Sequence, residues 1–244
     1  MSTDGLVFFG ASIFGWAVGR DELEAAGVER AVLCPAKPRG YHLGPANDAV
    51  ADFANADRDR FAGLVRVDPL LGEDAVAEAV RGLDELRLAG IFLHPWEETF
   101  AVADPRVGDV VEVARARRLP VVVASGYPWL SEALQVGELA RRFPDVPFVA
   151  TNGLQLNMSG LGQTDAELVL ADNDNVSIHT TGVYREDFIE RVVARHGAER
   201  VLYASALPHF DPRLEIRRVE WAAFSGEQIA QIVDGNARRL FWRS

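Results

Sequence analysis

Eight short apolar runs recur along this chain at a nearly even interval: Leu6 to Phe14, Arg30 to Pro35, Phe61 to Val67, Gly90 to His94, Pro120 to Ser125, Pro147 to Asn152, Asn175 to Thr181 and Val201 to Ser205. Their starts lie about 24 to 31 residues apart, room for one helix and two turns each. Patterns such as Val76, Ala79, Val80, Leu83 and Leu86, or Phe188, Ile189, Val192 and Val193, fill the intervals with one apolar face at helical spacing. Eight strands alternating with helices predict an α/β fold, a single (β/α)8 TIM barrel, with residues 1–244 as one domain. The rival, an open doubly wound sheet, would carry a GxGxxG turn after its first strand. Here that turn reads FFGASIFGWAVG, whose glycines are wrongly spaced and whose Phe14 and Trp16 would crowd a pyrophosphate.

Charge and composition exclude several functions. A net charge of −11 and pI ≈ 4.9 leave no clustered cations for nucleic acid. No apolar run is long enough for a membrane span, and the first ten residues lack the charged start and cleavage site of a secretory signal, so a cytoplasmic location is expected. Cys34 is the only cysteine, which rules out an internal disulfide and a thiolate zinc cage. Lys37 is the only lysine, so a carboxylated lysine bridging two metals would have to be this one, in the loop-like stretch CPAKPRGYHLGP.

Four segments carry a resemblance. RDRFAGLVRVDP, GIFLHPW, ARRFPDVPFVATNG and GAERVLYASALPHFDP with GNARRLF stand in the order and spacing of strands three, four, six and eight, with the closing helix, of a known barrel family. On these motifs nearly the whole chain resembles the amidohydrolase-related family, the metal-dependent hydrolases and decarboxylases that include aminocarboxymuconate-semialdehyde decarboxylase and the γ-resorcylate decarboxylases.

The resemblance implies a metal bound by an HxH pair on the first strand, a histidine ending the fifth and an aspartate ending the eighth, with a histidine ending the sixth assisting the chemistry. In this sequence those positions fall on Ser12 and Phe14, Ala124, Ala206 and Asn152, and the fourth-strand lysine is replaced by Phe92. Catalytic zinc takes three N, S or O donors, which these residues do not supply. Only five histidines exist and none precedes His42, so no shift of register creates an HxH on the first strand. A degenerate member with no metal and no cofactor is therefore expected.

The remaining polar groups set the candidates. His94 ends the fourth strand at the rim, where it is either an acid–base or substrate-binding group or a histidine bonded to loop backbone. His179 alternates with Ser177 and Thr181, which turns it to the lumen as a core histidine or a catalytic one. His209 and Asp211 form either a dyad or a turn capping the next helix. Trp16, His94, Trp96, Tyr127 and Trp129 are the candidate binding residues, with Tyr41 and Phe210 as further aromatics near strand ends. Ser125 lacks the GxSxG elbow and an identifiable base.

Three functions follow as expectations. The first is a silent barrel that acts by binding, as the partner of an active paralogous amidohydrolase or of itself. The second is a metal-independent hydrolase or lyase, decarboxylase-like, acting on a small cyclic or carboxylated substrate through His94, His179 or His209. The third is a small-molecule binding protein.

Overall fold

The computed structural model describes residues 2–155 and 162–242. Ten strands build two sheets. In the first, β1 (Thr3–Ala11) pairs antiparallel with β2 (Ala17–Val18) and parallel with β3 (Arg30–Pro35), which pairs with β4 (Phe61–Gly63). In the second, β5 (Val65–Arg66), β6 (Ile91–Leu93), β7 (Val121–Val123), β8 (Phe148–Ala150), β9 (Val176–His179) and β10 (Val201–Leu202) run parallel in order.

The two sheets close on each other. Only Leu64 separates β4 from β5; its N–H goes back to Leu33 and the next, from Val65, goes on to Gly90, so the pair is one barrel strand. On the far side Gly5 N–H donates to Tyr203 O at 2.9 Å, Phe8 N–H to Leu207 O at 3.0 Å and Ala206 N–H to Leu6 O at 2.9 Å, sealing β1 against the end of β10. Eight strand positions thus complete the α/β barrel, and no sheet edge is left at the seam. The hairpin strand β2 lies outside this count.

Helices α1 (Arg20–Ala25), α2 (Gly44–Ala56), α3 (Glu73–Asp84), α4 (Pro105–Arg117), α5 (Ala133–Arg142), α6 (Gln163–Asp172), α7 (Glu186–His196) and α8 (Pro212–Trp221) form the shell. Their starts follow local chemistry. Asp104 and Asp211 accept the N–H groups of Arg106 and Arg213, and each is followed by a proline whose missing N–H costs the first turn nothing. The chain ends in α9 (Gly226–Ala230), a π-helical turn (Gln231–Gly235) and α10 (Asn236–Phe241). Among the described residues no helix is long and apolar enough to cross a membrane.

Period-two alternation sorts the strand residues into two cores. Val121, Val123, Val176 and Ile178 face the helices, whereas Leu6, Phe8, Cys34, Leu64, Phe92, Val122, Val149, Leu202 and Ala204 fill the lumen, where Ala237, Leu240 and Phe241 of α10 join them. This packed lumen leaves the C-terminal ends of the strands as the floor of a site.

Candidate functional site

The alternation on β1 corrects the sequence expectation for its first metal pair. Ser12 and Phe14 lie beyond the strand, in a tight turn where Ser12 N–H donates to Trp16 O and Ser12 Oγ accepts Phe14 N–H. Phe14 is 61% exposed. The inward pair on the strand itself is Leu6 and Phe8. The apolar run continues past the end of the strand at Ala11 into the turn that returns the chain as β2, where Gly15 takes a φ of 86°.

The strand ends enclose a cavity of about 580 Å³, lined at its floor by Leu6, Phe8, Ala124, Thr151, Thr181 and Ala206. Trp16, His94, Trp96, Tyr127 and His209 stand around it, together with Glu97, Asn152, Phe14 and Phe210. Four of the five expected binding residues therefore meet here. Trp129 does not; it is 81% exposed and outside the lining. Its residue type and its loop suggested a role that its direction does not support.

A divalent metal at the position the family resemblance implies would meet Leu6, Phe8, Ala124 and Ala206, which carry no donor atoms. Thr151 Oγ1 already accepts Ser125 N–H at 3.0 Å, and Asn152 Nδ2 donates to Ser125 O at 3.1 Å. Among the described residues no three His, Cys, Asp or Glu side chains come together to hold a metal. The donor set does not fit a catalytic metal.

The histidines divide. His94 closes β6 with its Nδ1 accepting the N–H of Glu97 at 3.2 Å, which leaves the ring proton on Nε2. Burial, then the Arg66 charge, push its pKa well below the ordinary value. His209 packs edge-on against Phe8 at 5.2 Å and Trp16 at 5.5 Å, and burial lowers its pKa as well. Phe8 touches both imidazoles, since its ring centre is also 6.2 Å from that of His94. His179 is inward as the alternation predicts, yet it is absent from the cavity lining. It is fully buried beside Gly5, both ring nitrogens lack a hydrogen bond among the described residues, and burial pushes its pKa down to about 3. It is neither a hydrogen-bonded core histidine nor a group in reach of a ligand.

Asp211 caps α8 and pairs with Arg213 at 2.8 Å, so PHFDP is a capping turn and no His209–Asp211 dyad forms. Ser125 is buried and donates to Thr151 O, which occupies its hydroxyl.

The group that sequence reasoning missed is a buried ion cluster behind His94. Arg66, fully buried on β5, donates from Nη2 to Glu97 Oε2 and to Glu98 Oε1 at 2.7 Å, and from Nη1 to Pro35 O at 2.9 Å. Lys37 Nζ also reaches Glu98 Oε1, at 2.9 Å. That contact commits the lone lysine to an ion pair. Only Glu97 of this cluster lines the cavity.

An eight-stranded barrel with one aromatic-walled cavity at its C-terminal mouth is the class of protein that fold and site define. The sequence pattern of the amidohydrolase family matches residues 11–243, and the chain belongs to that family. Its structure is similar to a 5-carboxyvanillate decarboxylase from Sphingomonas paucimobilis, at TM-score 0.75 and 20% identity, covering 100% of this chain and 98% of that one. A 2,6-dihydroxybenzoate decarboxylase from Rhizobium aligns at TM-score 0.74 and 15% identity over 99% and 98%. A dihydroxybenzoic acid decarboxylase from Polaromonas sp. JS666, solved with bound manganese and 2-nitroresorcinol, aligns at 0.74 and 15% over 100% and 98%. At these identities the likeness is one of fold. No curated protein matches the chain.

Proposed function

We propose that this chain is a metal-independent lyase or hydrolase that takes a small planar cyclic substrate into the mouth cavity. The observation that carries the reading is the pair His94 and His209, two imidazoles held neutral by burial on one cavity whose described floor carries no imidazole, thiolate or carboxylate. A neutral imidazole with its proton on Nε2 is a hydrogen-bond donor that polarises a carbonyl without giving up its proton at neutral pH. The second imidazole, unprotonated and 5.5 Å from the Trp16 ring, is the base. The aromatic walls accept a flat ring. The aromatic acids named for the structural neighbours are of this shape, which supports the substrate size.

The test is a turnover screen of carboxylated aromatics, lactones and cyclic amides. Activity that persists in EDTA and is lost in His94→Ala and His209→Ala supports the reading. Turnover that EDTA abolishes and manganese or zinc restores overturns it.

A second reading rests on the rim. Phe14 and Trp96 line the mouth and are more than half exposed, an apolar surface of the kind a partner covers. In this reading the barrel binds a second copy of itself or an active paralogous amidohydrolase, and is itself silent. Size-exclusion chromatography after co-expression tests it; a chain that stays monomeric and leaves the paralogue's rate unchanged counts against it.

A further inference from the structure

The charge inside the cavity runs against a carboxylate. Resting on the reading that the mouth cavity is the ligand site, we infer that the ligand presents a cyclic or ring-bearing amine to Glu97, held in an aromatic enclosure, and not a carboxylate group.

Three observations place the amine. Among the described residues Glu97 is the only lining residue with a formal charge, because burial keeps His94 and His209 neutral. Its Oε2 is taken by Arg66, but its Oε1 lies 3.8 Å from His94 Nε2, outside hydrogen-bond distance, and has no nearer partner among the described residues. That oxygen is an acceptor with capacity to spare, beside the cavity. The cations of the cluster are not on the described cavity wall: Arg66 is wholly buried and bound to Glu97, Glu98 and Pro35, and Lys37 is paired with Glu98.

A carboxylate entering this space would lose water, meet a like charge and gain no cation, which is the costly way to bury an ion. An ammonium or amidine gains the Glu97 carboxylate in an enclosure of Phe8, Trp16, Trp96 and Tyr127, a ring type that attracts cations. The charge of Glu97 is felt by two lining groups: after burial it raises the Tyr127 phenol, ahead of the opposing effect of Arg66, and it opposes the burial that lowers His209. The neighbouring decarboxylases are named for carboxylated substrates, so this cavity has a different electrostatic preference from what those names suggest.

Isothermal titration of the full chain with three ring probes of similar shape, benzylamine, benzyl alcohol and benzoate, decides the matter. Benzylamine is expected to bind at least about tenfold more tightly than benzoate, the margin that one desolvated charge contact supplies. In Glu97→Gln that preference is expected to fall to within about threefold. Benzoate binding as tightly as benzylamine, or more tightly, overturns the amine assignment and leaves the cavity reading standing. Failure of all three probes to bind at about 10 mM overturns both. The ranking on the unmodified chain decides even where Glu97→Gln, having lost its partner Arg66, fails to fold.

Discussion

Asp4 on β1 accepts the Ser205 hydroxyl at 2.5 Å and the Ser205 backbone N–H at 2.9 Å, so the first strand is bound by one carboxylate to the loop that follows the last. The same carboxylate takes Leu6 N–H at 3.2 Å. This clasp sits on the seam where the two sheets close, one residue from the cavity floor at Ala206.

Burial raises the Asp4 pKa to about 6 against the hydrogen bonds from Ser205 that lower it. A carboxyl raised above its unfolded value of 3.8 contributes stability that is fully present below that value and lost as pH rises through about 6. Asp4→Asn keeps the acceptor for the two N–H groups and offers an amide to the Ser205 oxygen. Relative to this variant, the unmodified chain is expected to lose on the order of 1 to 1.5 kcal/mol as pH is raised from about 5 to 8. Urea unfolding of both proteins across that range measures it; parallel stability profiles would refute the assignment.

His179 has the opposite sign. Its native pKa is about 3, and the unfolded chain binds a proton near 6.5, so acid favours unfolding below that point. His179→Leu removes two buried nitrogens that have no partner among the described residues and fills a similar volume. The variant is expected to match or exceed the parent near neutrality by about 1 kcal/mol and to widen its lead by about 2 kcal/mol at pH 5. Paired denaturation curves at the two pH values check both figures.

Much of the barrel was legible because a parallel strand buried on both faces reads as an apolar run, and eight such runs leave few architectures. The inward direction of His179 followed from alternation alone. The end of β1 was not legible, since the run from Leu6 to Phe14 stays apolar through the turn at Ser12–Trp16, and hydropathy does not mark where a chain leaves a barrel. Glu97 was missed for another reason. In PWEETF it reads as a solvated turn residue, and its significance comes from Arg66, 31 residues away on the neighbouring strand. Pairings of that kind are tertiary and leave no local spacing.

Phe8 is the ring on which both cavity imidazoles rest. Phe8→Ala removes edge contacts to Trp16, Phe92 and His209 and is expected to cost about 3 to 5 kcal/mol, as for other buried aromatics. It also admits water to His209, whose pKa is lowered chiefly by burial and should move back up toward 6.5. Chemical denaturation reads the first effect and proton NMR of the imidazole the second.

Arg66 serves two ends, and one substitution separates them. Arg66→Met leaves Glu97, Glu98 and the Pro35 carbonyl without their buried donor, a loss expected to cost about 3 to 5 kcal/mol. Adding Glu98→Gln to that variant should recover part of the cost, because one of the stranded charges is gone and Lys37 retains an amide oxygen as acceptor. The same Arg66 charge is the second cause, after burial, that depresses His94. Removing it should therefore raise the His94 pKa while burial still holds it below 6.5. An NMR titration of the ring measures this in the folded fraction. A His94 pKa that does not move on loss of Arg66 would show that burial alone keeps the imidazole neutral, and that the ion cluster serves stability and the placement of Glu97.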